Sequence, residues 1–305
     1  MKGRDFLSIG DVTPVDLRTL LDDAATVKKD PVGWSDRLSG KQIALIFEKP
    51  STRTRVSFET AVETMGGHAI VLRGDELQLG RGETIEDTGK VLSRYVDGIV
   101  IRTFGQDRLE RLAAAADVPV INALSDLEHP CQALADLQTI EETFPDLSGR
   151  IVAYIGDGNN VAHSLMLGAA ALGLDIRVAS PSGYEPDETI VERAREAAGR
   201  SDADVRVTGD PREAAAGAHV LYTDVWASMG QEDEASERKA AFAGYQIDRS
   251  LLDLASDDAI VMHCLPAHRG EEIAADVIDG PHSVVWDQAE NRKHAQKALL
   301  ARLLG

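Results

Sequence analysis

Ser51-Thr52-Arg53-Thr54-Arg55 concentrates more chemistry than any other stretch of its length in this chain. It follows the apolar run Gln42–Phe47 and a stop at Pro50, and it leads into a helical pattern over Arg55–Met65. Ser51 or Thr52 can cap that helix. Three hydroxyls, two guanidiniums and the free N–H groups of a helix start then converge on one point. A phosphate dianion needs just that combination: many donors, positive charge and the helix dipole. The plainer alternative is a capped helix with solvated arginines. The interleaving of hydroxyls with arginines favours the anion site.

Further candidates lie where other apolar runs end. Arg102 follows Gly98–Ile101, and Leu127-Glu128-His129-Pro130-Cys131-Gln132 follows Val120–Asn122. Alone, Arg102 reads as a surface or ion-paired residue and His129 as a packed one. Together they offer a fixed cation, an imidazole and, from Gln132, an amide. Gln78, in the Gly-rich stretch 77–82, is an ordinary loop residue unless that company recruits it. In the second half, Ile151–Ile155 runs into Gly156-Asp157-Gly158-Asn159-Asn160. This approaches a dinucleotide fingerprint, but Val161 stands at the third glycine and Ile176–Ala179 ends at Ser180-Pro181 with no acidic ribose ligand. The turn is better suited to presenting Asn159 and Asn160.

Asp224-Val225-Trp226-Ala227-Ser228-Met229-Gly230 follows Val220–Thr223, and Cys264-Leu265-Pro266-Ala267-His268 follows Ile260–His263. His263, Cys264 and His268 match no usual zinc spacing, so no metal is expected. Glu271 and Glu272 read as a solvated helix start rather than an acid/base pair. Arg292, in Glu290-Asn291-Arg292, is available as a third cation for the anion site. The two cysteines, Cys131 and Cys264, cannot build a disulfide framework, and a lone cysteine is most simply a small buried hydrophobe.

The elements that must position these groups alternate from end to end. Apolar runs at Gln42–Phe47, Ala69–Leu72, Gly98–Ile101, Val120–Asn122, Ile151–Ile155, Ile176–Ala179, Val205–Val207, Val220–Thr223, Ile260–His263 and Val284–Trp286 read as strands. Helical patterns separate them, among them Thr84–Tyr95, Leu109–Ala116, Cys131–Thr143, Val161–Leu172, Thr189–Ala198 and a last one over Gln288–Leu304. Such alternation reads as a parallel α/β class. Ten strands are better accommodated as two sheets than one. The expected architecture is therefore two domains, each a mainly parallel sheet flanked by helices, with the seam near the helix before Phe144-Pro145-Asp146. Ligands on such sheets bind outside the carboxyl ends of strands, where every candidate above lies.

The chain has 305 residues, and 32 Lys+Arg against 51 Asp+Glu give a net charge of −19. That balance disfavours binding to nucleic acid or to an anionic membrane. The acids are 30 Asp and 21 Glu, whereas the bases are 23 Arg and only 9 Lys. Excess Asp with depleted Lys suggests a protein adapted to concentrated salt, where screening suppresses self-repulsion. No apolar run approaches the ~18 residues of a membrane span, and the first residues lack a signal-peptide pattern, so a cytoplasmic location is expected.

Ser51-Thr52-Arg53-Thr54-Arg55, His129-Pro130-Cys131-Gln132 and His263-Cys264-Leu265-Pro266, in that order, closely resemble the signature motifs of the carbamoyltransferase family. Asp224–Gly230 and Glu290-Asn291-Arg292 narrow the resemblance to members that use ornithine. It covers essentially the whole chain. It implies transfer of a carbamoyl group from carbamoyl phosphate to the δ-amine of L-ornithine, giving citrulline and phosphate, in a cleft between the domains. It assigns residues 1–134, with the closing helix 288–305 packed back, to carbamoyl phosphate and residues 135–287 to ornithine. By motif match, Ser51, Thr52, Arg53 and Thr54 hold the phosphate, and Arg102, His129 and Gln132 bind the carbamoyl end. Gln78 reaches in from a neighbouring subunit, and Cys264, Leu265 and Arg292 complete the site. Asn160, Asp224, Ser228 and Met229 fix the ornithine head. The family uses no metal or organic cofactor and is built from trimers. Bacterial members often carry a lysine where this chain has Arg81-Gly82-Glu83, so any basic contact from that loop falls to Arg81. Among other amines, aspartate would want more cations, putrescine would leave the head-group residues idle, and acetylornithine would need room at its α-amine. A catalytically idle homologue is the alternative from another class, but no motif is broken.

Overall fold

The computed structural model describes residues 1–77, 82–227 and 232–305, which form two compact units. Unit 1 comprises Met1–Gln138 and Glu290–Gly305, and unit 2 comprises Thr139–Ala289. The divisions thus fall inside two helices.

In unit 1, α1 (Pro14–Lys29) precedes β1 (Gln42–Phe47), α2 (Thr52–Glu63), β2 (His68–Arg73) and α3 (Ile85–Leu92). Then come β3 (Gly98–Arg102), α4 (Gln106–Ala115), β4 (Val120–Leu124) and α5 (Pro130–Thr143), which runs past the division. All strands are parallel in the order β2-β1-β3-β4. Strands β1, β3 and β4 are buried almost throughout, as a parallel sheet covered on both faces requires. Ala44, Ile46, Ile99, Ile101, Leu109 and Leu112 pack into one core cluster. The open edge of β4 is covered by the chain's start: Phe6 bridges Ile121, with its N–H on the Val120 carbonyl at 2.9 Å.

Unit 2 holds β5 (Ile151–Ile155), α6 (Asn160–Ala171), β6 (Asp175–Ala179), α7 (Glu188–Ser201), β7 (Val205–Thr208), α8 (Pro211–Ala215) and β8 (Val220–Thr223). After these come α9 (Ala235–Ala241), α10 (Arg249–Leu252), β9 (Ile260–His263), α11 (Ala275–Ile278) and α12 (Val285–Leu304), whose later part belongs to unit 1. The sheet is again wholly parallel, in the order β7-β6-β5-β8-β9. Its core gathers Ile155, Leu221, Val261, Phe242 and Ile273. No helix among the described residues is long and apolar enough to cross a membrane.

Three expectations need correction. Val284–Trp286 is not a strand: Ser283 makes a single bridge to Val261, and the chain then winds into α12 from Val285, earlier than Gln288. Three apolar residues carry no period that separates strand from helix start. The described strands therefore number nine rather than ten. Glu272 is not solvated and opens no helix, because it is fully buried beneath His263. Sequence reading also passed over α1, although Thr13 caps it through Asp16 N–H and Pro14 occupies its first turn.

Candidate active site

In unit 1 the strand order reverses between β1 and β3, which is where a doubly wound sheet opens a crevice for ligand. Glu48 N–H donates to the Arg102 carbonyl at 2.9 Å, so the two strand ends lie side by side. Ser51, with extended backbone, caps α2 by accepting from Thr54 N–H at 3.2 Å. Thr52 and Arg53 stand exposed in the first turn, whereas Thr54 is buried. Arg292 reaches this turn from α12. Its Nη2 donates to Thr54 Oγ1 at 2.9 Å and its Nη1 to Gln132 Oε1 at 2.7 Å. Gln132 in turn donates from Nε2 to Asp136 at 2.8 Å, which fixes the sense of its amide.

His129 is buried at the head of α5. Desolvation, then Arg292 and Arg102, hold its pKa well below the usual histidine value. The ring is neutral at working pH and offers a hydrogen bond without adding charge. Cys131, two residues on, is a different case. Its Sγ donates to the Asn122 carbonyl at 3.3 Å, and burial pushes the thiol up to about 12, so it is structural and inert.

Residues that sequence reading left without a role hold these parts in place. Glu48 accepts from Arg108 through both carboxylate oxygens, at 2.7–3.1 Å, and from the Thr103 hydroxyl. That brace locks the end of β1 to the end of β3 and to α4. Under His129, the Glu128 carboxylate accepts from Ile9 N–H at 3.3 Å, and Asn122 donates to the Leu7 carbonyl at 2.9 Å. Only the carboxylate immediately after β1 hinted at any of this.

In unit 2 the order reverses between β5 and β8. Asn159 caps α6, its Oδ1 accepting from Val161 and Ala162 N–H and from the Tyr154 hydroxyl. Its Nδ2 donates to Asp224 Oδ2 at 2.9 Å, linking the β5 end to the β8 end. Asp224 Oδ1 accepts from Val225 N–H and from Cys264 Sγ, both at 2.8 Å. The ends of β5, β8 and β9 therefore meet on one carboxylate. Asn160 opens α6, half-buried. Gly158 is there for packing, since a Cβ would come within 2.2 Å of the Pro186 nitrogen. This accounts for a glycine-rich turn without a dinucleotide.

Leu265 adopts φ 58°, a left-handed conformation costly for a branched side chain. Its N–H donates to His263 Nδ1 at 2.9 Å, and His263 Nε2 meets Glu272 Oε1 at 3.1 Å. Both ring nitrogens are thus occupied, the imidazole donating to the carboxylate and accepting from the backbone. Asp224, His263 and Cys264 have ligand-type atoms within 4.8 Å of one another, as do His268, Glu271 and Glu272. Hydrogen bonds already account for the first grouping, and Glu271 of the second pairs with Lys239 at 3.2 Å. Gln78, Arg81, Ser228 and Met229 lie outside the described residues.

Comparison with known proteins matches both halves of this geometry. The family described as aspartate/ornithine carbamoyltransferase, carbamoyl-P binding domain, matches residues 4–142, and its Asp/Orn binding domain matches residues 148–303. The chain is 60% identical over 307 residues to an ornithine carbamoyltransferase of Parafrankia sp., covering 100% of this chain and 97% of the relative. It is 57% identical over 301 residues to that of Acidothermus cellulolyticus, covering 99% and 96%. The solved structure of ornithine carbamoyltransferase from Pyrococcus furiosus superposes with a TM-score of 0.96 at 54% identity, covering 100% of this chain and 98% of that one. With both half-sites formed on matching domains along its full length, the chain belongs to the aspartate/ornithine carbamoyltransferase family.

Proposed function

We propose that this protein transfers the carbamoyl group of carbamoyl phosphate to the δ-amine of L-ornithine, releasing L-citrulline and phosphate. The observation that carries the reading is Arg292 donating at once to Thr54 and Gln132. That bond pair joins a phosphate-sized helix N-terminus to an amide suited to a carbamoyl group. Ser51, Thr52, Arg53 and Thr54 hold the phosphate. Arg102, His129 and Gln132 hold the carbamoyl end, and neutral His129 donates to its oxygen. As the amine attacks the carbonyl carbon, negative charge grows on that oxygen and then on phosphate as the C–O bond breaks. Donors fixed at both points lower the barrier without reorganising.

The δ-amine resembles lysine, with a pKa of about 10.4, and attacks only as the neutral species. Asn160, Asp224, Ser228 and Met229 take the amino-acid head, with Asp224 held in place by three donors, while Cys264 and Leu265 lie beside the δ-amine. The proton lost as the N–C bond forms ends on the departing phosphate, so a neutral amine and carbamoyl phosphate balance citrulline and hydrogen phosphate. Cys264 forms no covalent intermediate in this scheme. The acid-rich, Lys-poor composition supports work in the cytoplasm at high salt, and the family resemblance supports a homotrimer in which Gln78 serves a neighbouring site, with no metal or organic cofactor.

Citrulline formation with ornithine, putrescine, acetylornithine and aspartate, compared in molar KCl, tests the proposal. Strong turnover with ornithine alone is expected. Turnover with another amine only would keep the phosphate site and overturn the ornithine half.

A further inference from the structure

Arg238 belongs to none of the motifs that the transfer uses, yet three separate segments of unit 2 meet on it. Its side chain is only 8% exposed. Nη1 donates to Asp157 Oδ2 and to the Trp226 carbonyl, each at 2.9 Å, and Nε donates to Glu234 Oε2 at 3.0 Å. The guanidinium lies 5.0 Å from the centre of the Tyr184 ring, which packs on Phe242, as does Trp226. A guanidinium so far out of water is costly unless paired, and its planar fork demands acceptors at fixed angles.

Where those acceptors sit matters more than their number. Asp157 stands two residues before Asn159 in the turn after β5, and Asn159 N–H donates to the Asp157 carbonyl at 2.7 Å. Trp226 stands two residues after Asp224, just beyond β8. Arg238 thus pins one chain on each side of the switch point, and the side chains nearest those pins, Asn159 and Asp224, meet at 2.9 Å. A hydrophobic pair of the same volume could pack these segments but could not hold a carbonyl and a carboxylate at set distances.

We propose that Asp157 and Arg238 form a positioning pair that aligns Asn159 and Asp224 for the amino-acid substrate. This inference rests on ornithine being that substrate. The pair is sensitive to pH. Burial raises the Asp157 carboxyl to about 6, with Arg238 opposing the rise and Asp224 and Glu234, the other charged groups acting on it, adding to it. As pH falls through that value the pair loses its anion, and the alignment loosens.

The test uses norvaline, which is ornithine without its δ-amine and cannot be carbamoylated. Its dissociation constant is measured with carbamoyl phosphate bound, from pH 5 to 8, for the unaltered protein, Asp157→Asn and Arg238→Lys. Lysine keeps the charge but not the fork. Both variants are expected to weaken norvaline roughly tenfold at pH 7.5 while leaving the affinity for carbamoyl phosphate within about twofold. The unaltered protein is expected to lose norvaline affinity below pH about 6, and Asp157→Asn to show no such loss. Identical pH dependence in the two overturns the proposal without any variant having to equal another in stability. So does equal loss of affinity for both ligands, which is the mark of general unfolding. An unaltered protein that binds norvaline but makes no citrulline from ornithine refutes the proposed reaction and leaves the pair's alignment role supported for an amino-acid ligand.

Discussion

The two units solve the same geometric problem with opposite chemistry. Each has a parallel sheet whose strand order reverses once, and each places its candidate residues at that reversal. In unit 1 the cations gather: Arg53 stands in the first turn of α2, Arg292 donates to Thr54 of that turn, Arg102 ends the neighbouring strand, and the one imidazole there is kept neutral by burial beside two arginines. In unit 2 the centre is a carboxylate, Asp224, held by an amide, a thiol and a backbone N–H, while Arg238 is turned to Asp157. The lesson is that a doubly wound sheet fixes where a ligand goes, and the side chains at strand ends decide its charge. A phosphate suits the first unit and an ammonium the second.

The sharpest way to break this contrast is Arg53→Ala. Loss of one guanidinium from the proposed phosphate cradle is expected to lower turnover about 10²–10³-fold, as removal of a preorganised charge donor does elsewhere. Norvaline-type contacts in unit 2 should be untouched. Asp224→Asn attacks the other pole. A rise in ornithine KM of roughly 10–100-fold is expected, with carbamoyl phosphate binding unchanged by calorimetry. If both substrates weaken together, the poles are not separable. Cys264→Ser asks whether the thiol only supports Asp224. A loss within about tenfold is expected, whereas a collapse of 10⁴-fold or more would mean covalent catalysis.

Smaller effects concern pH and salt. Because His129 stays neutral, the affinity for carbamoyl phosphate should show no inflection near pH 6.5, measured by titration between pH 6 and 8. Asp157 behaves in the opposite sense. Its carboxyl moves from 3.8 when unfolded to about 6 when folded, so the folded state takes up the proton first. Its contribution to stability is full below pH 3.8 and is lost as pH rises through about 6, the direction in which the Arg238 pair gains its anion. Melting temperatures of the unaltered protein and Asp157→Asn should therefore diverge across that window. Finally, with a net charge of −19, dilute buffer is expected to lower the melting temperature or dissociate the proposed trimer relative to molar KCl. Equal stability in both would remove the salt-adapted interpretation.

Legibility followed the range of each signal. Ser51 was readable as a cap and Gln42–Phe47 as a strand because both depend on a few neighbours. Asn159 was noticed in its turn, but its grip on Asp224, 65 residues away, was not. Glu272 was misjudged because an adjacent acidic pair is usually solvated, and only the fold shows His263 above it. Cys131 and Cys264 looked alike beside histidine and proline. One is sealed under β4 and the other faces a carboxylate.

By itself the sequence determined the alternation of strands and helices, the order of the motifs and the kind of chemistry each could do. Periodicity, caps and side-chain functional groups are local properties, carried wherever the segment goes. Tertiary structure decided which of those groups meet. The order β7-β6-β5-β8-β9 brings the ends of β5, β8 and β9 together on Asp224, and it sets Arg238 against Asp157 across 81 residues of chain. Sheet order is settled by the burial of whole strands against whole helices, and no short window of residues encodes it.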